Sequence, residues 1–191
     1  MKAFRRALLF VLVLCNGIAW ADSASAVPEF PGITRWVNSP PLTIAGLRGK
    51  VVLIDFWAYS CINCLHVIPH VEHLHETYKD RGLVVIGVHS PEFAVEKSPA
   101  NVIAATKRLG ITYPVAIDNE LATWKAWGNQ YWPTEYLIDR NGQLIGKHIG
   151  EGDELRMENA IRLLLGLDML PMNSPSAGDR PPRGRATRSR P

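Results

Sequence analysis

Cysteine is scarce in this 191-residue chain: Cys15, Cys61 and Cys64 are all it has. So few thiols exclude a small disulfide-framework protein, because one short loop constrains the unfolded chain little. Long apolar runs are missing as well. Ala7–Ile18 is the nearest approach to a membrane span, and it is too short to cross a bilayer comfortably. A basic body is also absent. The formal charge of +3 comes from Lys2, Arg5 and Arg6 at one end and an arginine-rich stretch after residue 170 at the other. The region between is net acidic, so no nucleic-acid partner is implied. There is no internal repeat. What is present is ordinary globular material, 47% hydrophobic and 20% charged, enough for one domain with a core.

The first residues read as a secretory signal, with a basic start at Met1–Arg6 and the apolar stretch behind it. Ala19-Trp20-Ala21 offers a cleavage site, Ala24-Ser25-Ala26 a second, and an uncleaved anchor is the alternative. Leu14 stands before Cys15 where a lipoprotein wants a small residue, so Cys15 is read as part of the leader. Export to the periplasm or its equivalent follows, with Cys61 and Cys64 as the mature chain's cysteines. The expected organisation is leader 1–21, linker 22–30, one folded domain over 31–168, and a disordered Pro/Arg-rich tail over 169–191.

Within the domain, Trp36–Ile44, broken by Asn38-Ser39-Pro40-Pro41, suggests a small N-terminal hairpin. Val51–Trp57 is a continuous apolar run and reads as a buried central strand. A helix is predicted from Ile62 to Asp80, with Val67, Val71, Leu74 and Tyr78 on its core face and a kink at Pro69. Leu83–Val88 reads as a second buried strand. Ser98-Pro99 opens a helix that Gly110 closes. A short strand over Tyr113–Ile117 and a short helix over Glu120–Trp127 follow. Asn141-Gly142 joins Glu135–Asp139 to Leu144–Ile149 as a hairpin, and a last helix covers Asp153–Leu165. This order predicts a three-layer α/β domain with a mixed central sheet and flanking helices.

The chemistry lies at Cys61 and Cys64. Their spacing lets them close and reopen a small disulfide ring. A redox pair, half a metal site and a structural staple are all compatible with two such thiols, and the strand-to-helix context favours redox. A cysteine at a helix N-terminus meets unsatisfied N–H groups and the positive end of the dipole. Cys61, before the first turn, is therefore assigned as the nucleophile and Cys64 as the buried resolving thiol. Asp55 is a carboxyl in an apolar strand. Such burial predicts a raised pKa, in a carboxyl that either exchanges a proton or is a structural acid hydrogen-bonded to backbone. Trp57, Tyr59 and Trp132 are expected to form a flat apolar rim suited to a protein substrate.

Asp55-Phe56-Trp57-Ala58, Cys61-x-x-Cys64 and Pro69 together resemble the active site of the thioredoxin superfamily. Ser60–Cys64, Gly87–Phe93 and Tyr131–Asp139 resemble the C-terminal thioredoxin-like domain of DipZ-type cytochrome c biogenesis proteins, related to the exported TlpA and ResA type. The resemblance covers about residues 30–166. It implies a thiol–disulfide oxidoreductase with no cofactor and no bound metal, acting as a monomer on protein thiols and disulfides. A membrane electron donor of the DsbD/CcdA type is implied as its partner. It also implies a cis peptide before Pro133, which with Trp132 would present backbone to an extended substrate, and the proton role of Asp55. Two departures stand out. Val67 occupies the place of an acid in the TlpA and ResA type, and Ile62-Asn63 replaces the Gly-Pro of reducing thioredoxins. An insertion at about 90–118 is expected to shape partner choice.

Three other readings compete. Metal ligation by His66, His70 and His73 is outweighed by their common helical face, read as solvent-facing. A peroxidase wants Thr and Pro where Ala58 and Ile54 stand. An oxidase, an isomerase or a redox-inactive interaction module shares the motif and differs in electron flow. His89 and Glu92 are read either as partner contact and proton relay or as loop caps; Trp124 and Trp127 are read as core.

Overall fold

The computed structural model describes residues 27–174; the expected leader and cleavage motifs, Cys15 and residues 175–191 of the expected tail lie outside that range. Six strands form one mixed sheet in the order β1-β4-β3-β2-β5-β6. In chain order they are β1 Arg35–Val37, β2 Val51–Trp57, β3 Leu83–His89, β4 Val115–Ile117, β5 Thr134–Ile138 and β6 Leu144–Ile149. The helices are α1 Ile62–Tyr78, α2 Pro99–Arg108, α3 Ala122–Ala126 and α4 Glu154–Leu164. β2, β3 and β4 run parallel, while β1, β5 and β6 pair antiparallel to their neighbours. Among the described residues, no helix is long and apolar enough to cross a membrane.

β2 separates two cores by strand parity. Val51, Leu53 and Trp57 join Leu137 and the α1 residues Cys64, Val67, Ile68, Val71, Leu74 and Tyr78 on one face. Val52, Ile54 and Phe56 join Tyr136, Trp124 and Trp127 on the other. All seven residues of β2 are buried, which is why the strand reads as an uninterrupted apolar run. Trp124 and Trp127 are core, as the sequence suggests. α1 passes through Pro69 without interruption. The Tyr78 hydroxyl donates to Glu158 at 2.6 Å and accepts from Arg162, pinning the end of α1 to α4.

Three boundaries differ from the expectation. The hairpin over 36–44 is instead a single strand, β1, paired with β4. Asn38 adopts a left-handed conformation and donates to the carbonyls of Ile111 and Tyr113. Pro40 and Pro41 lack the N–H groups that a returning strand needs. Residues 27–30, read as linker, are docked: Glu29 accepts from the backbone of Ile44 and Ala45, and Phe30 stacks on Trp127. Leu170, expected in the tail, is docked as well: Asn159 exchanges hydrogen bonds with its backbone.

Leu53→Ala removes a fully buried side chain from the α1 face and is expected to destabilise the fold by about 2–5 kcal/mol in urea denaturation. Leu163→Ala, on the exposed side of α4, should change stability by no more than about 0.5 kcal/mol.

Candidate active site

β2 ends at Trp57, and the chain turns directly into α1. The turn closes through a hydrogen bond from the Cys61 N–H to the Ala58 carbonyl. Cys61 is the N-cap of α1 in extended conformation, and the Cys64 N–H donates to its Sγ at 3.4 Å. A backbone donor thus points at the sulfur that carries negative charge during attack. Cys61 is half-buried, Cys64 is buried beneath it, and both are free thiols. Burial, followed by the hydrogen bond to Cys61 and the charge of Asp55, pushes the Cys64 thiol far above its usual range.

Asp55 has the same strand parity as Leu53 and Trp57, so it faces the α1 side, where Cys64 lies. It is 1% exposed, and burial alone pushes its carboxyl up to about 7. Gly87 lies opposite Asp55 on β3; a Cβ there would meet Trp57 Nε1 at 2.9 Å and the Tyr113 ring at 3.0 Å. Glycine is the residue that leaves this packing undisturbed.

The turn before Cys61 is held by a residue that the sequence reading missed. Glu96 is fully buried in a 3-10 turn over Ala94–Lys97. Its carboxylate accepts from the Ser60 N–H and hydroxyl at 3.0 and 2.7 Å, and from the backbone N–H groups of Glu92 and Phe93. Burial opposes its charge, yet the hydrogen bonds from Ser60, Phe93 and Glu92 prevail and hold the carboxyl below its usual value. No local periodicity marks Glu96, because all its partners are backbone or lie 36 residues away. Glu135 was missed too, although its strand parity with buried Leu137 was a usable signal. It is the register partner of Asp55 on β5 and is 3% exposed.

The rim differs in membership from the expectation. Trp57 is fully buried in the core and forms no part of it, because its parity points inward beneath α1. Tyr59 and Trp132 are half-buried and pack against the core cluster that holds Cys64. The Tyr59 hydroxyl donates to the Val95 carbonyl at 3.0 Å, and the Trp132 indole donates to the Ser90 carbonyl at 2.9 Å. Ile62, Phe93, Val95 and Tyr131 add exposed apolar surface around them. The Trp132-Pro133 peptide is cis, as the resemblance implied.

His89 is fully buried, with its ring stacked on Tyr59 and edge-on to Trp57. Burial lowers its pKa to about 4, so it is a neutral packing platform rather than a partner contact. The histidines of α1 do not share one solvent face. His66 is exposed and bonds Glu151 at 2.8 Å, whereas His70 is buried. Among the described residues, no cluster of three or more His, Cys, Asp or Glu could hold a metal ion. Val67 lies in the core.

Comparison with known proteins agrees with this geometry. The redoxin family model matches residues 23–162. Protein DipZ of Mycobacterium bovis is 48% identical over 180 residues, which make up 90% of this chain and 26% of DipZ. The chain therefore spans about a quarter of that relative's length. Thiol-disulfide oxidoreductase YkuV of Bacillus subtilis is 29% identical over 73% of this chain and 93% of its own. A crystal structure of a thioredoxin-like superfamily protein superposes with a TM-score of 0.68 at 29% identity, covering 76% of this chain and 99% of that one. A half-exposed cysteine capping a helix, with its partner buried over an acid and a cis-proline turn present, is thus accompanied by sequence similarity along most of the chain, and the chain belongs to the redoxin family with a thioredoxin-like fold.

Proposed function

We propose that this protein is an exported thiol–disulfide oxidoreductase that reduces disulfides in protein substrates. The observation that carries the reading is the asymmetry of the pair. Cys61 is accessible and meets a backbone donor, whereas Cys64 is buried, held protonated and on the same side of β2 as Asp55.

The Cys61 thiolate attacks one sulfur of the substrate disulfide. A Cys61–substrate bond forms, and the other substrate sulfur leaves as a thiolate that takes a proton from solvent. Two of the influences that hold Cys64 protonated, the hydrogen bond to Cys61 and the charge on Cys61, end when Cys61 enters the mixed disulfide. Cys64 then gives its proton to Asp55 and attacks Cys61. The Cys61–Cys64 bond forms and the second substrate thiolate departs. The substrate gains two electrons and the pair loses two.

Tyr59 and Trp132 supply the substrate-facing rim, enlarged by Ile62, Phe93, Val95 and Tyr131; Pro133, expected beside Trp132 at this surface, is buried behind it. Such a surface suits an extended protein segment better than a small molecule. The direction of electron flow, the export and a membrane donor of the DsbD/CcdA type rest on the resemblance to DipZ-type proteins. On that basis the substrates include apocytochrome disulfides, whose reduction frees the thiols that take haem.

Cys61→Ser should abolish turnover in an insulin-reduction assay, and retention of full activity would sink the assignment. Cys64→Ser should accumulate a mixed disulfide on Cys61, seen as a mass increase that dithiothreitol removes.

Asp55 also predicts two pH effects. The resolving step should speed up as pH rises through about 7, where Asp55 becomes able to accept a proton; Asp55→Asn should flatten that limb and slow resolution about 10²-fold. For stability the sign is the reverse of the usual carboxylate. Because the folded pKa is raised from 3.8 to about 7, the contribution is complete at pH values below the unfolded pKa. It declines as pH rises and is gone above about 7. Asp55→Asn should therefore be the more stable protein at pH 8, by on the order of 4 kcal/mol, and similar to wild type at pH 4 in denaturant titrations.

A further inference from the structure

Asp55 does not stand alone behind the cysteines. Its antiparallel register partner on β5 is Glu135, and the parity of Leu137 in the same core places Glu135 on the same sheet face as Asp55. Both side chains are almost completely buried, and neither Asp55 Oδ1 nor Glu135 Oε1 has a hydrogen-bond partner among the described residues. Side chains that are direct partners on one face of an antiparallel pair lie within about 4.5–5.5 Å at Cβ. No lysine or arginine balances them in the register. Gly87 is opposite Asp55 on β3, and His148 is opposite Glu135 on β6.

We infer that Asp55 and Glu135 act as one coupled proton store beneath the redox pair, with Glu135 a positioning residue that acts on Cys64 through Asp55. Two buried carboxyl groups this close cannot both ionise readily, so they lose their protons in two steps that belong to the pair. After the first loss the store holds one proton and has one free place. The free place receives the proton of Cys64 as the Cys64 sulfur attacks the mixed disulfide. On re-reduction, when a donor thiolate attacks the Cys61–Cys64 bond and Cys64 leaves, the store returns that proton to the Cys64 sulfur.

Other groups face this store and set its surroundings. Cys64 approaches from α1, with the ring of Tyr113 beside Gly87. Glu154 at the start of α4 raises the proton affinity of Glu135, and His70 lies 4.0 Å from that glutamate. Burial, then the charges of Asp55 and Glu154, push Glu135 up to about 8, and burial pushes Asp55 up to about 7, which agrees with a pair retaining one proton near neutrality.

This inference rests on the oxidoreductase reading for its consequence, yet its test needs no turnover. The side-chain carboxyl carbons of the reduced, full-length protein are followed by carbon-13 NMR across pH. In wild type, the Asp55 and Glu135 signals should each move in two steps, every curve carrying the inflection of the other. In Glu135→Gln, the upper step should disappear from the Asp55 curve; in Asp55→Asn, the Glu135 curve should become single and shift to lower pH. The pH profile of the resolving step should lose the same upper step in Glu135→Gln. A single-step Asp55 curve in wild type, or a two-step curve that survives Glu135→Gln, overturns the inference. If the Gln variant does not fold, the wild-type and Asp55→Asn curves decide the matter on the same criteria.

Discussion

The site depends on the burial of β2 on both faces. A seven-residue strand at the centre of a six-stranded sheet has no solvent-facing side. Any polar side chain placed in it must find partners, lose its charge or be paid for elsewhere. Asp55 loses its charge: burial holds its carboxyl protonated up to about 7. The same strand ends where α1 begins, so one element delivers both a carboxyl of raised pKa and the helix N-terminus that carries the thiols. Weakening the packing around β2 would let water reach Asp55 and return it to an ordinary carboxylate.

Glu96 shows that burial alone does not dictate charge. It is as inaccessible as Asp55, yet it stays below its usual pKa because donors from Ser60, Glu92 and Phe93 converge on it. Two buried acids on either side of one turn therefore do opposite work. Glu96, charged, ties the loop at Ser60 to the segment at 92–96; Asp55 is held neutral below about 7. The segment that Glu96 fastens to the cysteine turn also carries exposed Phe93 and Val95.

Much of this was legible in the chain. Apolar continuity marked β2 and β3, helical spacing marked the α1 core stripe, and Asn141-Gly142 marked the β5–β6 hairpin. These signals are local, and burial follows directly from the repeat of the element. Asp55, Cys61 and Cys64 were legible because a carboxyl inside an apolar strand and two thiols at a helix start are unusual without a chemical reason. Trp57 was misplaced because adjacency to the cysteines suggested the rim, whereas strand parity sends its ring beneath α1. His70 was misplaced for the related reason that α4 and the sheet enclose more of α1 than one amphipathic face requires.

By itself the sequence determined the order of elements, the redox-type motif and the resemblance that joins them, since each is written in spacing along the chain. Only the tertiary structure decided which side chains meet. β1 leaves its expected hairpin for β4 because two prolines deny it a local partner. Glu96 reaches Ser60 across 36 residues, and Glu135 meets Asp55 through the register of β2 with β5. Register and loop closure are set by the whole core, because moving a strand by one residue turns every side chain to the other face. The partners of a buried charge are therefore known only when the fold is complete.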